Sequence, residues 1–259
     1  MAVKGLDTFI EYLSEHRDAF VLIGGTACDM WFTEQNLSFR STKDLDVVLI
    51  VDKINPVFIR SFWKLIRDGE YQIKNRNEGG PPVLFRFENP KVDAFPFKVE
   101  LFCRSSLGLE IYPDQHIIPI RMEDAQSLSA ILLHDSYYNF LIKNCRESRG
   151  ILAAEPGALI PLKARAWLDL TARKENGQMV GERDIKKHRY DVFRLAVLLP
   201  ENQTVSLPEE LAGDVTAFLS RHSADQTDWE SIRNAIRPTV GGSILPDKLL
   251  SAIRGYYQI

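Results

Sequence analysis

The clearest pattern in this chain lies between Phe20 and Val51. Phe20-Val21-Leu22-Ile23 is a short apolar run, and Val47-Val48-Leu49-Ile50-Val51 is an unbroken β-branched and aliphatic one. Both read as strands, the second buried on both faces. Gly24 and Gly25 close the first run, and a helix is expected to begin near Thr26 and to run from about Ala27 to Glu34. Before them, Phe9, Ile10 and Leu13 share one side of a helix expected over Asp7 to Ala19. After them, Asn55 followed by Pro56 has the cap-then-proline order of a helix start, and that helix should reach about Arg67. Strands are expected near Tyr71 to Lys74, Val83 to Glu88 and Phe97 to Arg104, punctuated by Gly79-Gly80-Pro81-Pro82. These elements predict a mixed sheet flanked by helices. From Glu123 the pattern changes to helices: Ala125 to Leu133, Tyr137 to Asn144, Leu159 to Lys174, Asp184 to Leu199, Pro208 to Ser220, and a last one around Pro246 to Tyr256. The polar, proline-bounded stretch Glu201 to Pro208 reads as a linker.

Asp44 and Asp46 stand at the entrance of the Val47 strand. Side chains alternate across a strand, so residues two apart point to one side, and the two carboxylates can converge while Leu45 turns into the core. Two carboxylates so placed repel unless a cation lies between them. Hard oxygen ligands at this spacing suit Mg²⁺, which takes one or two protein carboxylates and completes its shell with waters and substrate phosphates. The glycines after the first strand let phosphate approach the backbone, and the N–H groups of the following helix favour an anion. Each half is a weak signal alone; strand, Gly-Gly, helix and acid-bearing strand in this order are far more specific.

Such an arrangement asks for a third carboxylate on a neighbouring strand. In Phe97-Lys98-Val99-Glu100-Leu101-Phe102-Cys103, Glu100 leaves the strand on the face opposite Val99, Leu101 and Cys103, and it is the candidate third ligand. The competing readings are a solvent-facing Glu100 on an antiparallel strand, or Asp93, in the turn-like Pro90-Lys91-Val92-Asp93 segment, as the third acid.

Length and composition narrow the class. At 259 residues and 45% hydrophobic content the chain can hold one large or two modest domains with buried cores. No apolar stretch approaches the roughly 20 residues of a membrane span, and the first residues lack the form of a secretory signal, so the expected compartment is the cytoplasm and no membrane partner is expected. Three widely separated cysteines with no C-x-x-C predict reduced structural thiols rather than a disulfide framework or zinc. A net charge of −3 rules out a globally basic nucleic-acid binder, so any RNA contact must be local. The local candidate is Arg173-Lys174 with Arg183, Lys186, Lys187, His188 and Arg189, thinned by Glu175, Glu182 and Asp184; a solvated helix face laced with i,i+4 pairs is the other reading.

In the helical half, Lys163 shares a face with Leu159, Ala166, Trp167 and Leu170, an apolar stripe expected to pack against the preceding domain. A lysine there either binds an anion or snorkels at the stripe's edge. Lys187 and Asp191, one turn apart, form a helix salt bridge, or the lysine extends a phosphate or RNA site. Trp167, Phe193 and Leu195 read as core, and His188 as a structural histidine or a general base.

Gly24-Gly25-Thr26-Ala27, a helix, Arg40-Ser41-Thr42-Lys43-Asp44-Leu45-Asp46 and the later Val99-Glu100-Leu101 strand resemble the minimal core of the polymerase-beta-type nucleotidyltransferase superfamily. Leu159-Ile160-Pro161-Leu162-Lys163-Ala164-Arg165-Ala166 and Lys187 to Leu195 are similar to the helical segments of the AbiEii nucleotidyltransferase toxin family. The likeness runs from about Leu22 to Leu199, with one departure: His188 stands where members often carry an acid after the lysine. The resemblance implies an α+β, nucleotidyltransferase-fold catalytic domain over 1–122, a helical domain over 123–200 completing the nucleotide cleft, and a C-terminal helical appendage over 201–259.

It also implies a chemistry: transfer of a nucleoside monophosphate from an NTP to a hydroxyl acceptor, with pyrophosphate leaving. Asp44, Asp46 and Glu100 would hold Mg²⁺ or Mn²⁺, Glu100 also serving the acceptor hydroxyl, and Gly24, Gly25 and Thr26 would place the β- and γ-phosphates. Lys163 would neutralise the leaving pyrophosphate, and Lys43 and Lys187 are further nucleotide-binding candidates. The implied acceptor is RNA, with tRNA foremost, and the implied partner is a separately encoded antitoxin of a toxin–antitoxin or abortive-infection system that need not touch the toxin. Two other readings stand beside it: modification of a small hydroxylated molecule such as an antibiotic, and a nucleotide-binding module without turnover.

Overall fold

The structure, a computed structural model, describes residues 3–75, 82–104, 117–120, 128–223, 228–240 and 245–259. The chain divides into two compact units, one of residues 1–30 and 41–154, the other of residues 31–40 and 155–259.

The first unit is built on strands. Helix α1 (Leu6–Tyr12) ends in a 3₁₀ turn at Ser14–His16, shorter than the helix expected over Asp7 to Ala19. Strand β1 (Phe20–Ile23) is buried throughout and passes directly into α2 (Gly24–Glu34), so the helix begins at the first glycine. Strand β2 (Asp44–Leu49) starts at the first acid and gives way to a 3₁₀ turn at Val51–Lys53. Helix α3 (Pro56–Asp68) starts as its cap sequence predicts: the Asn55 side chain accepts hydrogen bonds from the backbone N–H groups of Val57 and Phe58, both at 2.9 Å. Its buried face carries Phe58, Phe62 and Trp63, and the last two rings meet Phe87 edge-on.

Strands β3 (Gln72–Asn75), β4 (Pro82–Glu88) and β5 (Lys98–Arg104) match the expected ones; Gly79-Gly80-Pro81 lie outside the described residues. Then come β6 (Ile117–Ile120), β7 (Leu128–Leu133), α4 (Asp135–Lys143) and the hairpin of β8 (Cys145–Ser148) and β9 (Ile151–Ala154). The helix expected over Ala125 to Leu133 is therefore corrected: residues 128–133 pair with β5 and β6 as a strand, and residues 125–127 lie outside the described residues. The purely helical pattern expected from Glu123 is corrected with it, because β8 and β9 extend the same sheet.

Among the described residues nine strands form one mixed sheet, with the path β3-β4-β5-β2-β1-β9-β8 and with β7 joining β5 to β6. β1 and β2 are antiparallel, while β2 and β5 run parallel with Asp44 opposite Lys98 and Asp46 opposite Glu100. Leu45, Val47, Val99 and Leu101 point to the other face, where they are buried.

The second unit is helical. It contains α5 (Pro156–Glu175), α6 (Glu182–Ala196), α7 (Glu209–Ser220), α8 (Trp229–Val240) and α9 (Pro246–Tyr257); α8 had no counterpart among the expected helices. Its core gathers Trp167, Phe193, Phe218 and Trp229 around His222, whose ring stacks on Phe218 at 4.2 Å between centroids. The Trp167 face of α5 is thus occupied by α7 within the same unit. Residues 201–208 form neither helix nor strand and lie within the second unit, and the Val205 N–H donates to the Tyr256 carbonyl at 2.7 Å. Among the described residues no helix is long and apolar enough to cross a membrane.

Candidate active site

The first unit brings the glycine turn and the acids together through its strand order. β1 and β2 are neighbours with Ile23 opposite Asp46, so the chain leaves the sheet at Gly24 beside the second aspartate. Gly24 has φ 68°, and a Cβ there would overlap the Asp46 carboxylate. Glycine is required on both counts. Thr26 is fully buried, and its hydroxyl donates to the Asp44 carbonyl at 2.8 Å, tying the first turn of α2 to the start of β2. That hydroxyl therefore fixes the acid strand, a role the sequence reading did not assign to it.

Register places Asp44, Asp46, Lys98 and Glu100 on one face of the sheet, with Arg86 of β4 opposite Glu100 on the other side. Glu100 is 7% exposed, so it is not the solvent-facing strand residue of the competing reading. Its two oxygens meet two cations: Arg86 Nη2 lies 2.6 Å from Oε1, and Lys98 Nζ lies 2.7 Å from Oε2. Lys98 also reaches Asp44 Oδ2 at 3.1 Å. Burial opposes the charge on Lys98, but its contacts with Glu100 and Asp44 outweigh burial and raise its pKa above the usual lysine value. Asp93, the rival third acid, instead pairs with Lys4 at 2.9 Å at an exposed position.

The donor set suits a hard cation. The Lys98 ammonium already bridges two of the carboxylates, a stand-in showing that positive charge is accommodated there. Among the described residues no group of three His, Cys, Asp or Glu side chains is arranged to hold a metal. Lys43 lies near the Phe97 ring, with Nζ 5.9 Å from its centroid.

The second unit carries a different charge cluster. Asp191 on α6 is fully buried and sits among three cations: Arg40 Nη2 at 2.6 Å, Arg194 Nη1 at 2.9 Å and Lys163 Nζ at 3.5 Å. Burial works to raise the pKa of Asp191, but Lys163, Arg40 and Arg194 outweigh it and hold the carboxyl at about 2. Lys163 is only 5% exposed, so it does not snorkel. Burial, followed by the charges of Lys163 and Lys187, pushes His188 down to about 3 and leaves it a neutral imidazole near neutral pH. Arg40 is the partner that sequence reading missed, although it opens the very segment that ends in Asp44-Leu45-Asp46.

The basic stretch proposed for RNA is partly tied down. Lys174 pairs with Glu182, Arg173 lies 3.8 Å from Asp169 one turn away, and Arg173 Nε donates to Gln178 at 2.9 Å.

Comparison with known proteins gives three findings. No curated protein matches this chain. The crystal structure of the Megavirus polyadenylate synthase is similar at a TM-score of 0.39 and 13% identity, covering 93% of this chain and 50% of that one, so this chain spans half the length of that structure. The model of a nucleotidyl transferase AbiEii toxin family, a type IV toxin–antitoxin system, matches residues 9–239. That match takes in the glycine turn, all three acids and both lysine-bearing helices, and by it the chain belongs to the AbiEii nucleotidyltransferase toxin family.

Proposed function

We propose that this nucleotidyltransferase moves a nucleoside monophosphate from an NTP onto a hydroxyl of RNA, tRNA foremost, at the Gly24–Asp46–Glu100 face of the first unit. The observation that carries this reading is the register of β2 on β5: it sets Asp46 against Glu100, one residue from the turn that only glycine allows at position 24. Asp44, Asp46 and Glu100 are the residues that would hold Mg²⁺ or Mn²⁺. Bound there, the metal would supply positive charge to the attacking and leaving oxygens.

The chain's own groups do the rest. At the Gly24-Gly25 turn the N-terminus of α2, with its partial positive charge, would face the polyphosphate. Thr26 and Lys43 serve the nucleotide, Thr26 by holding Asp44 in place. Glu100, fixed by Arg86, accepts the proton of the acceptor hydroxyl. Lys163 and Lys187 neutralise charge on the departing pyrophosphate. The cytoplasm, where NTPs and tRNA are plentiful, is the compartment that fits, and a separately encoded antitoxin would act on the consequence of the modification without having to touch the toxin.

Gly24→Ala tests the turn. It forces a side chain into a left-handed conformation and against Asp46, so transfer should fall by at least about a hundredfold while stability drops by only ~1–3 kcal/mol. Thermal denaturation beside an initial-rate assay separates the two effects.

The acceptor is tested by incubating purified protein with each labelled triphosphate, Mg²⁺ and total RNA, then separating RNA from small products. Label in tRNA-sized RNA is expected. Label confined to small molecules would replace RNA by a small hydroxylated acceptor, and triphosphate binding with neither label transfer nor pyrophosphate release would reduce the chain to a nucleotide-binding module.

A further inference from the structure

Lys98 has no role in the reaction outlined above, yet it contacts two of the three acids. Its ammonium contacts Glu100 Oε2 at 2.7 Å and Asp44 Oδ2 at 3.1 Å, and it lies two residues before Glu100 on β5, directly opposite Asp44 in the parallel ladder. Glu100 cannot turn away from it freely, because Arg86 holds the other carboxylate oxygen through both Nε and Nη2 at 2.6 Å. The Lys98 side chain is largely enclosed, so water screens this pairing weakly.

Resting on the proposed assignment of Asp44, Asp46 and Glu100 as the metal-holding set, we propose that Lys98 is a built-in counter-ion that keeps the acids together without metal and must move aside for a divalent cation to bind. A lysine suits this task where an arginine would not: its single charged atom sits on a flexible stem and can swing away, whereas a guanidinium would remain locked in a fork of hydrogen bonds. Lys98 is thus a positioning residue that sets metal affinity. It keeps mutual repulsion from splaying the carboxylates and lowers their affinity for divalent ions, so that metal binds well only together with the triphosphate, whose negative charge gives the displaced ammonium a new partner.

The test is Mn²⁺ binding to the full chain without nucleotide, by calorimetry and by the metal-induced shift in melting temperature, for wild type, Lys98→Met, Lys98→Gln and Asp46→Asn. Removing a positive charge from the cation's position should tighten Mn²⁺ binding by at least about tenfold in both Lys98 variants. The same variants should melt lower than wild type without metal and recover on adding it; Lys98→Gln keeps a polar side chain should Lys98→Met fold poorly. Lys98 variants that bind Mn²⁺ no tighter than wild type overturn the proposal, provided Asp46→Asn weakens binding. Asp46→Asn binding Mn²⁺ as wild type does would instead overturn the metal-site assignment itself.

Discussion

Asp46→Asn is expected to abolish nucleotidyl transfer, by about a thousandfold or more, and to leave the melting temperature within a few degrees of wild type. The size follows from the several kcal/mol that correctly placed metal charge contributes to a phosphoryl-transfer barrier. The mild effect on stability follows from position. Asp46 lies on the polar face of β2, with Leu45 and Val47 on the buried face, so losing its charge removes no core packing. Asp44→Asn should behave alike in rate. Initial rates of pyrophosphate release beside a denaturation curve check both halves, and a folded Asp46→Asn protein with wild-type rates would remove the acid from the reaction.

Asp191→Ala has the opposite profile, with its largest effect on stability. The carboxylate is fully buried among Arg40, Arg194 and Lys163, so truncation removes a buried charge that all three cations contact. Breaking a buried ion pair from one side costs about 3–5 kcal/mol. Asp191→Asn keeps the shape and should lose somewhat less. The carboxyl is held near 2, below its ordinary 3.8, so its stabilising effect is complete above about pH 4 and disappears as pH falls through about 2. Denaturant titrations at pH 7 and at pH 3 should show a smaller gap between wild type and Asp191→Asn at the lower pH. Equal stability of the two proteins at pH 7 would mean the cluster is not the anchor it resembles.

Where sequence reading succeeded, the signals were local. Phe20 to Ile23, the glycines and Asp44 to Leu49 form strand, helix and strand because each run is short, apolar and bounded by residues with one strong preference, and Asn55-Pro56 starts α3 for the same reason. Period-two alternation puts Asp44 and Asp46 on one face of β2, and the register of β2 on β5 brings Glu100 to the same face. The second β-region was harder to read. Leu128-Ser129-Ala130-Ile131-Leu132-Leu133 is an apolar run whose periodicity does not separate a buried strand from a helix, and its pairing with β5 decides the matter. The β8–β9 hairpin turns through Arg149 and Gly150 with φ of 53° and 78°, the two-residue left-handed pattern of a tight hairpin, although Arg149 is not a residue that advertises such a turn.

The cations around the site were the larger omission. Lys98 could have been found, since a residue two before Glu100 must share its face. Arg86 and Arg40 could not, because their partners lie 14 and 151 residues away along the chain. Such pairings are decided by strand register and helix packing, which a single sequence shows only weakly.

The most direct measurement is a crystal structure of the protein with Mn²⁺ and a non-hydrolysable NTP, using anomalous scattering to locate the metal. The account predicts a manganese peak coordinated by Asp44 and Asp46, the triphosphate lying against Gly24-Gly25, and the Lys98 ammonium withdrawn from its place between Asp44 and Glu100. A metal–triphosphate complex bound elsewhere, with Lys98 still bridging those two carboxylates, would contradict it.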